Sequence, residues 1–175
     1  MRNRKLNKQL LLVNQKAKKI SKYYNLSQLK GLLSSSKSLN RLLALQIIRK
    51  QLDYNKLQKS YYTLAKRYIN DSNNNCRWQS LIIVGEYLDK YSDEIFNIII
   101  KYGKSKDEDM RTAIATVLLE HLLEKNFDKY FHLYKNVLKN NSYLLDTLSK
   151  SWINIAGSKN QKIVKRFLKN RKDWS

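Results

Sequence analysis

The 175 residues contain no proline and only four glycines. Turns in β-rich folds draw heavily on those two residues, so their scarcity argues against an all-β sandwich or barrel and for a chain that is nearly all helix. A single cysteine, Cys76, has no partner for an internal disulfide, and no Cys or Cys/His cluster shows the spacing of a zinc site. This fits a reducing compartment. In residues 1–24 the longest apolar run is Leu10 to Val13, too short for a secretory h-region or a membrane span. A cytoplasmic protein without a membrane partner is expected. Acidic residues are scarce as well, 14 Asp+Glu against 35 Lys+Arg, leaving a formal charge of +21. Hydrophobic residues still make up 42%, which suits a chain with a buried core rather than a disordered one, and the length fits a single domain over 1–175.

The charge is divided unevenly. Residues 1–70 hold 17 basic residues and one acid, Asp53; residues 71–128 hold 7 basic and 11 acidic; residues 129–175 hold 11 basic and 2 acidic. Blocks of +16 and +9 therefore flank a centre of −4. A lysine-rich composition does not by itself remove acids from one stretch, so the basic ends are expected to meet a polyanion.

Leu6, Leu10, Val13, Ala17, Ile20 and Tyr24 are spaced alternately by four and three, which lines them along one face of a helix. Lys5, Lys8, Lys16, Lys18, Lys19 and Lys22 fall mainly off that stripe. Residues 1–25 read as a basic amphipathic helix. Downstream, three segments align on an arginine: Arg41 to Leu52, Arg77 to Leu88, and Arg111 to Leu122, at offsets of 36 and 34. Each carries small or apolar residues four, seven and eleven positions after the arginine (Leu45, Ile48 and Leu52; Leu81, Val84 and Leu88; Ala115, Leu118 and Leu122). A fourth copy, Leu145 to Ala156, keeps the period, with Trp152 at the seventh position. Amphipathic segments around Leu57, Tyr61, Leu64 and Tyr68, around Ile95, Ile98, Ile99 and Tyr102, around Tyr130, Phe131, Tyr134 and Leu138, and around Ile163, Val164, Phe167 and Leu168 alternate with these copies. Two helices per roughly 35 residues are the mark of stacked helical pairs.

The run from Lys106 to Glu120, with its acidic turn, its arginine and its small-residue start, resembles the second helix of a HEAT repeat, within the ARM-type group of helical repeats. Asp71, six residues before Arg77, is similar to the acid that pairs with an arginine to hold neighbouring HEAT repeats together. The proline frequent in that family's first helix is absent, and the fourth copy has Leu145 at the arginine position. The resemblance covers about residues 26–170. It implies an all-α, right-handed solenoid of about four antiparallel helix pairs over 26–175, with the second helix of each pair on a concave surface. There Arg49, Lys50, Glu86, Glu120 and Asn154 would make a groove cationic at one end and acidic in its middle.

Lys66, Lys101, Lys135 and Lys169 recur at offsets of 35, 34 and 34. Such lysines either offset the helix dipole in the last turn, worth about 0.3–1 kcal/mol each, or form a track for backbone phosphates. The basic last segment, with Lys162, Lys165 and Arg166, extends the second reading. Most tyrosines, and Trp78 and Trp152, occupy core positions. No Gly-rich phosphate loop occurs, His121 and His132 are isolated, and neither a metal site nor a cofactor is expected. Cys76, beside Arg77 at a helix start, is either a lowered-pKa thiol or a buried filler.

The expected function is therefore that of a non-enzymatic binding module contacting nucleic-acid phosphates through Lys16, Lys19, Arg49, Lys50, Lys66, Arg67, Lys101, Lys135, Lys162, Lys165, Arg166 and Lys169. One alternative is a protein–protein scaffold using the concave face. Another follows from similarity to the HEAT-like DNA alkylation-repair glycosylases, which use an acid with aromatic residues in the groove; Asp146 is the acid nearest Trp152 and the catalytic candidate.

Overall fold

The computed structural model describes residues 2–54, 58–138, 141–151 and 158–172, and among these every regular element is helical and no strand occurs. The chain divides into two compact units, residues 1–87 and residues 88–175.

The first unit contains α1 (Arg2–Ile20), a 3-10 turn (Ser21–Tyr23), α2 (Leu26–Leu33), α3 (Ser38–Leu52), α4 (Lys59–Lys66) and α5 (Asn74–Gly85). Asn25 starts α2 with a capping box: its side chain accepts from the Gln28 N–H, and the Gln28 side chain accepts from the Asn25 N–H. That satisfies two of the orphan donors at the helix start. α1 packs against α3. Ala17 is fully buried and Leu10, Val13 and Ile20 are half-buried, as the spacing of the apolar stripe predicts; the side chain of Leu6 lies outside the described residues.

α3 is the hub of this unit, packed by α1, α2 and α5. Residues 42–48 are all buried, Gln46 among them, so this stretch is enclosed on every side. A helix apolar nearly all round belongs in a core. The expectation places the second helix of the pair on an open concave face; in α3 only the first turn, with Leu39 exposed, and the last turn, with Arg49 and Lys50, come to the surface. At its end the buried Gln51 ties three segments together. Its Nε2 donates to the Ser21 and Tyr24 carbonyls at 2.8 and 2.7 Å, and its Oε1 accepts from the Tyr61 hydroxyl at 2.7 Å. The amide is therefore satisfied despite its burial.

The second unit contains α6 (Leu88–Tyr102), α7 (Glu108–Ala113), a π-helical segment (Ile114–Leu119), α8 (Glu120–Lys125), α9 (Phe127–Leu138), α10 (Ser142–Ser151) and α11 (Ser158–Lys172). Asp107 caps α7 by accepting from the Asp109 and Met110 N–H groups. The aligned core positions Leu45, Ile48, Leu81, Val84, Ala115, Leu118 and Leu122 are all fully buried. Leu88, aligned with Leu52 and Leu122, begins α6 instead of ending α5, because α5 stops at Gly85. Trp152 and Asn154 lie outside the described residues, as do Leu57 and Trp174.

α9 is set by its buried face of Phe127, Tyr130, Phe131, Tyr134 and Leu138. Tyr130 and Lys129 donate to Asp93 on α6 at 2.8 and 2.6 Å, and the Tyr134 hydroxyl donates to the Leu144 carbonyl on α10 at 2.8 Å. α10 is held to α6 by Thr147, whose hydroxyl donates to the Gly103 carbonyl at 2.9 Å. Phe131 stacks on Phe127 and meets Phe167 of α11 edge to face with centroids 5.6 Å apart. This aromatic column, with buried Val164 and Leu168, seats α11.

Candidate functional site

α11 runs 15 residues without an acid and carries Lys159, Lys162, Lys165, Arg166, Lys169, Arg171 and Lys172. Pairs such as Lys162 with Arg166, and Lys165 with Lys169, stand four apart on the helix, where like charges cost about 0.2–0.5 kcal/mol each. The helix forms nonetheless, since Lys, Arg and Gln are good helix formers and its apolar edge packs.

Two grooves flank it. Between α9 and α11 lies a cleft of about 450 Å³ lined by Phe131, Lys135, Lys159, Lys162, Ile163, Arg166, Phe167 and Asn170. Four cations face it and, among the described residues, no carboxylate lines it. The Lys135 ammonium sits 5.0 Å over the Phe131 ring, which fixes it at the rim. Between α10 and α11 lies a second cleft of about 440 Å³, lined by Ser142, Leu145, Asp146, Ser149, Lys165, Leu168 and Lys169. This one is of mixed charge.

Asp146 is a tethered carboxylate. Its Oδ2 accepts from Arg111 Nε at 2.6 Å and its Oδ1 from Lys150 Nζ at 2.6 Å. Burial opposes its ionisation, but the hydrogen bonds from Lys150 and Arg111 outweigh burial and hold its pKa below the usual carboxylate range. It is a weak base at neutral pH, with both oxygens engaged.

The arginine is part of a motif seen at two places among the described residues. Arg41 Nη1 donates to the Ser35 and Ser36 carbonyls at 2.9 and 3.0 Å, while its Nε and Nη2 grip Asp71 at 2.6 and 2.8 Å. Seventy residues on, Arg111 Nη1 donates to the Ser105 and Lys106 carbonyls at 2.8 and 3.0 Å, with Nε on Asp146. Each guanidinium closes the loop before its own helix and clamps an acid on a later segment. The sequence alignment finds both arginines but pairs Asp71 with Arg77; in the structure the side-chain hydrogen bonds of Asp71 come from Arg41, thirty residues earlier, while Arg77 adds a favourable charge and donates to Asn74 in its own first turn at 2.6 Å. A separation of 30 to 35 residues between arginine and acid is the signal that adjacent-residue matching passes over.

The other expected cations are dispersed. In the first unit Lys16 and Lys19 are exposed on α1, beside a shallow depression of about 280 Å³ with Leu12, Gln15 and Ile20. Arg49 donates to Gln79 at 2.7 Å, linking α3 to α5, and Lys50 pairs with Asp53 at 3.2 Å. Lys66 ends α4 over the Tyr62 ring at 5.2 Å, and Arg67 follows it, exposed. In the second unit Lys101 lies over the Tyr102 ring at 5.1 Å. Lys66, Lys101 and Lys135 all stand in the last turns of their helices, where the dipole favours them. Lys135 and Lys169 line different grooves rather than one file. The structure thus gathers Lys135, Lys162 and Arg166 in the α9–α11 cleft and Lys165 and Lys169 in the α10–α11 cleft. Lys159 and Asn170, which complete the first cleft, were not among the expected residues; with Ile163 and Arg166 they recur every three or four positions, a periodicity that would have found them.

Glu120 is buried where the π segment passes into α8, so it does not line an open acidic groove, while Glu86 is exposed at the end of α5. His121 is on the surface, 3.2 Å from Glu124. Cys76 is fully buried, and burial pushes its thiol up to about 12. It is a core filler, not a thiolate. Among the described residues no cluster of His, Cys, Asp and Glu could hold a metal ion, and no helix is long and apolar enough to cross a membrane. No family model, no curated protein and no solved structure matches the chain.

Proposed function

We propose that the protein is a HEAT-like helical-repeat module that binds the phosphate backbone of nucleic acid and has no catalytic role. The observation that carries this reading is the α9–α11 cleft, where Lys135, Lys159, Lys162 and Arg166 converge with no lining carboxylate among the described residues. Cations held at close quarters in a cleft focus their field and attract a polyanion from a distance. The like-charge pairs along α11 add to this, because an anion placed among them turns several repulsions into attractions. Support for stacked helix pairs comes from the arginine clamp: its two copies stand 70 residues apart, twice the repeat period of the sequence. A reducing, cytoplasmic setting belongs to the same proposal and is supported by the lone Cys76, kept as a buried thiol.

The reading is tested by measuring binding of a labelled oligonucleotide between 50 and 200 mM salt, for the wild-type chain and for Lys162→Ala combined with Arg166→Ala. Each phosphate contact contributes about 0.7 to a single strand, or about 0.9 to a duplex, in the slope of log affinity against log salt. The double variant is expected to weaken binding and to flatten the slope by about 1.4 to 1.8 for its two contacts. Binding indifferent to salt, or none at 50 mM salt, overturns the proposal.

A further inference from the structure

We propose that the α9–α11 cleft takes a single strand in preference to a duplex; this rests on the reading above. The cleft differs from a plain basic surface in having an apolar side. Phe131 and Phe167 meet edge to face beneath it, and Ile163 stands 39% exposed beside Phe167. Lys159, Lys162 and Arg166 recur along α11 at spacings of three and four, and Asn170 follows four further on. With a rise of about 1.5 Å per residue, the polar row from Lys159 to Asn170 extends roughly 16 Å.

A strand laid along this row would place phosphates on the cations and turn its bases towards Ile163 and the Phe167 ring. Sequence-tolerant single-strand binders join these two elements, a basic track for the backbone and apolar or aromatic surface for base faces. A duplex keeps its base faces stacked inside and would gain only the charge contacts. An inorganic polyphosphate has no face to offer either. The neighbouring α10–α11 cleft is of similar size but is lined by two cations, Lys165 and Lys169, and by the Asp146 carboxylate, so it offers a phosphate fewer cations than the four on the α9 side. The strand therefore belongs on the α9 side of α11. Asn170, with an amide that both donates and accepts, stands where a base edge at the end of the row could be met.

The test measures fluorescence anisotropy of a labelled oligothymidylate, a duplex of the same length and competing polyphosphate on the full chain. The single strand is expected to bind at least about fivefold more tightly than the duplex, the lower end of what one stacked base contributes. Its affinity should fall roughly 20- to 50-fold between 50 and 200 mM salt for three to four contacts. Ile163→Ser is expected to abolish the preference, whereas Ile163→Leu, which restores an apolar side chain, keeps it. Lys162→Ala should weaken all three ligands alike. Duplex binding equal to or tighter than single-strand binding, or polyphosphate competing equally per charge, overturns the single-strand inference. If the Lys162 variant still weakens salt-dependent binding in that case, the backbone-binding reading stands; if no ligand binds in a salt-dependent way, that reading falls as well.

Discussion

Gly103 shows how one residue sets the frame that carries the cleft. A Cβ at this position would lie 2.6 Å from the Ile99 carbonyl oxygen and 3.1 Å from Leu144 Cδ2. The first is backbone and cannot rotate aside. Glycine is thus required first by the last turn of α6 itself and second by the packing of Leu144 from α10, and its carbonyl accepts from Thr147 at 2.9 Å. Gly103→Ala is expected to destabilise the protein by about 1–3 kcal/mol through overpacking, read as a lower denaturation midpoint. A midpoint unchanged within error would show that the helices separate without cost. The tighter approach is local, to Ile99, while the approach to Leu144 depends on a residue about forty positions away, which no local pattern reveals. For Cys76 the sequence leaves a reactive thiol and a buried filler both open, and its full burial decides for the filler.

At the scale of elements the arginine clamps decide which helices are fixed to which loops, and their two copies differ in burial. The Asp71 side chain is 4% exposed and that of Asp146 33%. Burial works against the ionised form of Asp71, but hydrogen bonds from Arg41 and the Asn73 N–H overcome it and hold its pKa below the usual range. Removing one partner of a buried pair costs about 3–5 kcal/mol because the other charge is stranded, while a partly exposed pair is worth about 1 kcal/mol or less. Both Asp71→Asn and Asp146→Asn are therefore expected to lower stability, since the arginine that each would strand is only 13% and 11% exposed. The pH dependence has a definite sign: a depressed carboxylate contributes in full above its unfolded value, about 3.9, and loses that contribution as pH falls through its lower folded value. The wild type should lose stability as pH drops below about 4, and Asp71→Asn should flatten that dependence in denaturant titrations at several pH values; an unchanged acid limb would remove the clamp from the account. The elements themselves were largely legible. Spacing finds the buried faces of α3, α5, α7 to α8 and α9, because burial repeats with the helical period. What spacing misses is the partner of each arginine and the enclosure of α3, since both arise when helices meet rather than within one of them.

For the whole molecule the formal +21 separates into cations that hold structure and cations left at the surface. Arg41 and Arg111 are clamped to acids, Arg49 bridges α3 to α5 through Gln79, and Lys125, Lys129 and Lys150 pair with Asp89, Asp93 and Asp146. Lys16 and Lys19 on α1 and Lys162 and Arg166 on α11 are exposed. Sequence arithmetic weighs all of these equally, which is why it locates the basic blocks yet includes Arg49 among the contacts. A measurable division follows. Arg49→Ala is expected to lower the melting temperature, because it strips the Gln79 side chain of a charge-assisted hydrogen bond worth about 1.5–3 kcal/mol, and to leave the salt slope of nucleic-acid binding unchanged. Lys16→Ala with Lys19→Ala is expected to leave the melting temperature unchanged, and to lower the slope by about 0.7 to 0.9 for each lysine that meets a phosphate. If the α1 pair leaves the slope untouched while the Lys162 and Arg166 pair reduces it, the first basic block takes no part and the contact is confined to α11. If Arg49→Ala reduces the slope without loss of stability, its bond to Gln79 yields to phosphate and the cation counts as part of the binding surface.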